Sequence, residues 1–182
     1  VAAGADVTEP SARAALLEKA YELGFHYEKT YKGCAQCAVA ALQESLAMTD
    51  DAVFRAASGL SGGSGLSTVG PCGAFVGGAL VIGQLCGRER QDFADERGRR
   101  HLAYDAVNRF VELFQDEFGS LDCREVQHGV FGRSYRLRDP DDFRRFEADG
   151  AHQTKCPDVV GRACRLALQI ILEQGLHGLD RS

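Results

Sequence analysis

Seven cysteines occur in the 182 residues, and four of them, Cys34, Cys72, Cys123 and Cys156, share a setting that changes what a thiol can do. Cys34 follows Gly33, Cys72 follows Gly70-Pro71, Cys123 follows Ser120-Leu121-Asp122, and Cys156 precedes Pro157. Each therefore falls at an expected helix N-terminus. There the unpaired N–H groups of the first turn and the positive end of the helix dipole favour a thiolate, the form that ligates metals and attacks disulfides. The pattern points to metal or redox chemistry assembled from thiols that are far apart in the chain.

The other three cysteines read differently. Cys37, Cys86 and Cys164 lie inside helical patterns, where a cysteine serves as a small, inert apolar residue. At 1.5 Å rise per residue, Cys72 and Cys86 stand roughly 20 Å apart along one helix, and Cys156 and Cys164 about 12 Å apart. Only the first member of each pair can join a common site. Cys37 is a possible fifth member, because Cys34-Ala35-Gln36-Cys37 puts two thiols three residues apart on one helix face. Ala38 excludes covalent c-type haem attachment, which needs His directly after the second cysteine.

These residues need helices to position them, and the periodicity supplies helices throughout. Residues 11–29 form the first, with Thr8, Pro10 and Ser11 as start signals and Ala15, Leu16, Lys19, Ala20 and Leu23 on one stripe. Residues 34–48 form the second, and Thr49-Asp50-Asp51 cap a short helix through Ala57. Residues 58–70 are a Gly/Ser-rich loop that must wrap something or stay mobile. Pro71 then opens a central helix, 72–86, apolar nearly all round. Residues 91–118 look like one long helix, with turns at 123–126, a polar helix from Asp139 to Ala148, and a final helix opened by Cys156-Pro157. No strand alternation or fixed-period repeat is visible. The expected fold is all-α, a compact multi-helix bundle forming one cysteine-rich redox domain over residues 1–182.

Composition narrows the function classes. A net charge of -5 from mixed acids and arginines gives nucleic-acid binding no electrostatic support. No apolar run approaches the roughly 20 residues of a membrane span, so no transmembrane segment is expected and the chain reads as soluble. It opens Val-Ala-Ala-Gly-Ala-Asp without Met, which leaves room for a cytoplasmic protein or for an exported one whose N-terminal signal has been removed. Seven cysteines are too sparse for a disulfide-stapled scaffold. His26, His101, His128 and His177 read as ordinary surface or core histidines, with His152, one turn before Cys156, a minor candidate. The arginine-rich run 88–100, interleaved with Glu89, Asp92, Asp95 and Glu96, reads as a solvated face.

Cys72-Gly73-Ala74-Phe75-Val76-Gly77, with Cys34, Cys123 and Cys156, resembles the redox-active family named C_GCAxxG_C_C. The resemblance runs from about Tyr31 to Leu172 and implies a redox role without naming a substrate. Related domains stand beside c-type haems in split-Soret cytochromes, and several members carry export signals. Cys37, Cys86 and Cys164 are additional to the family pattern.

Three functions are compatible with this reading. Cys34, Cys72, Cys123 and Cys156, with Cys37 in reserve, could hold a [2Fe–2S] or [4Fe–4S] cluster for electron transfer with a redox partner protein; a Cys₄ zinc site is the alternative metal. A cofactor-free thiol–disulfide oxidoreductase is the second. An accessory subunit of a redox complex is the third. A homodimer is expected, since the glycine loop and the small-residue central helix leave the site thinly covered by one chain.

Overall fold

The computed structural model describes residues 9–179, so Thr8 and the residues before it lie outside the described chain. Among the described residues the fold is helical, with eight α-helices and no strand. α1 spans Pro10–Tyr31, α2 Cys34–Ser45, α3 Asp51–Ala56, α4 Gly73–Cys86, α5 Arg99–Phe118, α6 Cys123–Phe131, α7 Pro140–Ala148 and α8 Cys156–Glu173.

Local chemistry accounts for the boundaries. Pro10 and Pro140 sit at the first positions of their helices, where the missing N–H has no intrahelical partner to lose. Asp50, Asp122 and Asp139 cap α3, α6 and α7, each carboxylate accepting from two backbone N–H groups of the first turn. Gly119, Gly132 and Gly150 end or follow helices in the left-handed conformation.

Two expectations shift. The long helix starts at Arg99 and not at residue 91, because the stretch before it is a short tight turn at Arg90–Asp92 followed by Asp95 and Gly98 at positive φ. Polar residues there leave no apolar stripe to dock. Pro71 is outside α4, whose N-cap is Cys72; its backbone pairs with Asp122 as an isolated antiparallel bridge.

Five helices build the main core. α8 lies against α1, α2, α4 and α5, while α4 lies against α2 and α5. Helical spacing predicts Val159, Val160, Ala163, Leu166, Ala167, Ile170 and Ile171 as the core face of α8, and all are buried except Leu166, which is half-buried. Phe75 of α4 stacks on Phe110 of α5 at 4.9 Å between centroids and meets Phe114 edge-on at 5.5 Å. A second, smaller apolar cluster, Tyr135, Leu137, Phe146 and Ala151 with Phe131 and Phe143 around it, belongs to α6, α7 and the segments that follow them.

The small-residue character of α4 is used inside the chain. A Cβ at Gly77 would sit 2.5 Å from the Ala35 carbonyl oxygen and 2.6 Å from Ala38 Cβ, so glycine sets the separation of α4 from α2. That face is therefore not available for a second copy, which removes one premise of the expected homodimer. Among the described residues no helix is long and apolar enough to cross a membrane.

Gly77→Ala tests the close approach. Alanine is the better helix former by about 1 kcal/mol, yet overpacking against backbone should reverse the sign and cost about 1–3 kcal/mol. Denaturant unfolding should show a lowered midpoint; an unchanged or raised midpoint would mean that α2 and α4 can separate freely.

Candidate functional site

At the seam between the two apolar clusters lies a cavity of about 80 Å³. Its wall contains Cys34, Cys72, Cys123 and Cys156, and none of Cys37, Cys86 or Cys164. All seven thiols are free. The three off the cavity are packed among helices: the Cys37, Cys86 and Cys164 thiols face the carbonyls of Lys32, Ile82 and Ala38 at 3.2, 3.1 and 3.8 Å. Cys37, the possible fifth member, turns away from the other four.

Each cavity cysteine is held by a separate device. Cys34 is the first residue of α2, beside the loop whose Ser61 Oγ accepts from the Ala35 N–H at 3.2 Å. Cys72 and Cys123 are joined through backbone: the Cys72 N–H donates to Leu121 O at 2.7 Å and the Cys123 N–H to Gly70 O at 2.8 Å. Cys156 begins α8 but is not at a free helix end, because a wide π-type turn, Ala151–Lys155, runs into it. Such turns cluster at functional sites, where the extra residue re-aims side chains.

The loop over the cavity is wrapped, not loose. Gly65 N–H donates to Gly59 O, Leu66 N–H to Ser61 O and Thr68 N–H to Gly62 O. Ser64, Leu66 and Thr68 all adopt positive φ, at 67°, 59° and 61°, which costs a non-glycine residue on the order of 1–2 kcal/mol each. Gly62 and Leu66 contribute to the cavity wall.

The family model described as "Putative redox-active protein (C_GCAxxG_C_C)" matches residues 32–170. The chain belongs to this family. No curated protein and no solved structure registers a match. The spacing of the family motif acquires a physical reason here. Its first glycine, Gly73, lies where a Cβ would come within 2.4 Å of Cys34 Sγ, and its last, Gly77, is the point of contact with α2. Glycine at both positions lets the motif cysteine, Cys72, stand on the same cavity as Cys34.

The thiols are not the activated thiolates that helix ends suggest. Burial pushes the Cys72 and Cys123 thiols up to about 12, and those of Cys34 and Cys156 up as well. Backbone N–H groups do act: those of Ala74 and Phe75, at the start of α4, reach Cys72 and lower its value, and that of Gly62 in the loop does the same for Cys34. Desolvation outweighs them, because the cavity wall is almost entirely apolar and the neighbouring thiols would repel a second negative charge.

Three polar residues on the wall were not singled out from sequence or were given little weight. Gln127 donates through Nε2 to Cys123 Sγ at 3.6 Å and accepts from the Tyr135 N–H at 2.9 Å, which fixes the amide. His152, the minor candidate, faces Glu147 Oε1 through Nδ1 at 2.8 Å. Glu28 is buried on α1, and desolvation raises its carboxyl to about 7. It continues the buried face of Ala20 and Gly24 at a spacing of four, but a carboxylate ending such a stripe reads from sequence as a solvated end.

Among the described residues, no three His, Cys, Asp or Glu side chains form a group that could hold a metal ion. The four cysteines surround a volume without meeting at a point.

Raised thiol values have a kinetic consequence. In metal-free native protein at pH 7.5, alkylation of Cys72 and Cys123 should run at least about 10³-fold slower than in denaturant, each raised unit removing tenfold of the thiolate. The rate should climb with pH beyond pH 9. Rapid modification of either cysteine, mapped by peptide mass, would contradict the burial argument.

Proposed function

We propose that the chain holds an iron–sulfur cluster through Cys34, Cys72, Cys123 and Cys156 and exchanges electrons with a partner protein. The observation that carries this reading is that the four family cysteines, and no other cysteine, line one cavity that exceeds a single ion in size. A volume of about 80 Å³ is several times the roughly 10–15 Å³ at which a cavity can hold one water.

The ligand arrangement favours a cluster over zinc. A Cys₄ zinc site draws every sulfur to about 2.3 Å from one point, whereas a cluster spreads its thiolates over several metal atoms. Four cysteines lining one cavity are what the second pattern would use. High thiol values in the metal-free chain do not oppose metal binding, because a coordinated thiol is deprotonated outright by the cation. They do weigh against a cofactor-free oxidoreductase, which needs an accessible thiol of low pKa.

Bound in this cavity, a cluster supplies one-electron redox chemistry. The chain's own groups would tune it: Ala74 and Phe75 N–H at Cys72, Gly62 N–H at Cys34 and Gln127 Nε2 at Cys123 each direct a donor at sulfur, which raises a cluster's potential. The apolar wall excludes water and works the other way by disfavouring net charge.

Anaerobic reconstitution with iron and sulfide tests the proposal. The protein should turn brown and bind two or four iron atoms per chain. Cys72→Ala should lose most of the iron and the visible absorption, while Cys37→Ala and Cys164→Ala should keep both. A colourless protein with one zinc per chain would overturn the cluster reading, and loss of colour in Cys37→Ala would mean that the wrong thiols were chosen.

A further inference from the structure

One carboxyl on the cavity wall has a buried oxygen without a hydrogen-bond partner. Glu28 is 2% exposed, and its Oε2 is buried with no hydrogen-bond partner. An unsatisfied buried carboxyl oxygen costs about 1–3 kcal/mol or more, and native structures rarely retain one without a use.

The other carboxylate oxygen is held from behind. Glu28 Oε1 stands 3.6 Å from His152 Nε2, within ion-pair range and beyond a hydrogen bond. His152 is anchored in turn by Glu147 at 2.8 Å, and Glu147 by Lys32 Nζ at 2.6 Å. The Cys37 thiol lies within reach of both the Glu28 carboxyl and the Lys32 carbonyl, and its single proton serves one at a time. The wall it shares carries the four family thiols, His152, Gln127 and Ser61 among apolar groups, with Cys156 and Cys34 near enough to feel its charge.

We infer that Glu28 is a fifth ligating side chain of this cavity, its Oε2 bonding directly to iron of the group that the four cysteines hold. A lone electron-pair donor facing a nearly apolar wall calls for a cation, and carboxylate oxygen is an established class of iron ligand. Glu28 lies outside residues 32–170, so the family match itself does not assign it. The inference rests on the cluster reading and adds a residue to it: four soft sulfur donors and one hard oxygen donor make one side of the site chemically distinct from the rest.

Glu28→Gln removes the anionic oxygen at constant volume. With full-length protein reconstituted anaerobically, the measurements are iron per chain, the rate of iron release to a chelator, and the electron paramagnetic resonance spectrum of the reduced protein. Expected are release at least about tenfold faster than in the unsubstituted protein and a changed resonance spectrum, with Cys72→Ala as the iron-poor reference. Glu28→Asp, which keeps the charge but withdraws it by one methylene, should shift the same two readouts and decides the matter if Glu28→Gln does not fold. Release and spectrum identical to the unsubstituted protein, whatever the change in metal-free stability, would overturn the inference alone and make Glu28 a packing residue. Failure of the unsubstituted protein to take up iron would overturn the cluster reading and this inference with it.

Discussion

The approach of α4 to α2 is the constraint on which the site depends. Two helices with ordinary side chains at the contact stay 8–10 Å apart, and at that distance Cys72 and Cys34 would flank a thick apolar layer. Gly77 removes the layer at the contact, and Gly73 leaves room for the Cys34 sulfur itself. Once these helices are fixed, the remaining cysteines can be delivered by separate means. The short backbone pairing of residues 70–72 with 121–123 ties α6 to the start of α4 and carries Cys123 to Cys72. The packing of α8 against α1, α2 and α4 brings Cys156 to the same wall.

Electrostatics at the site is a contest between helix ends and burial, and magnitude decides it. A helix terminus contributes on the order of 0.3–1 kcal/mol to a nearby charge, and up to about 2 kcal/mol when partly buried. Displacing a thiol by three units, as at Cys72 and Cys123, corresponds to about 4 kcal/mol in the opposite direction. The same N–H groups that fail to ionise a buried thiol would be well placed to donate to a sulfur whose proton a bound metal had displaced. Helix-end placement thus matters for tuning a ligand and little for activating a nucleophile.

Much of this was legible in the sequence. The helical periods gave the core face of α8 and the central place of α4, and the four cysteines separated from the other three by local context alone. Cys37 misled because spacing on a helix says which residues share a face, not which neighbour that face meets. The start of α5 misled because charged residues can continue a helical pattern that no core holds in place. Glu28 went unseen for a related reason. A carboxylate in an otherwise small-residue stripe, Ala20, Gly24, Glu28, looks like a solvated end of the helix until another element is known to cover it. The cover is supplied by the far end of the chain, through His152 and its wide turn, and pattern reading within one helix cannot supply it.

Site and stability are built from different parts of the molecule. Around the cavity stand features that each oppose folding: three non-glycine residues at positive φ, a carboxyl oxygen without a partner, and four thiols facing an apolar space. Small metal-dependent domains with such a balance fold only when the metal is bound. Here Phe75, Phe110 and Phe114, with the buried faces of α1, α2, α4, α5 and α8, form a core most of which lies away from the cavity, although Cys72, Ala74, Val126, Val159 and Val160 belong to both. That core over-determines the loop and the carboxyl, so the unfavourable features persist around the cavity. A ligand bound there would stabilise a fold that already exists, by mass action and with the logarithm of its concentration. Substitutions on the wall should therefore separate from substitutions in the core: the first change what is held, the second whether the chain holds together.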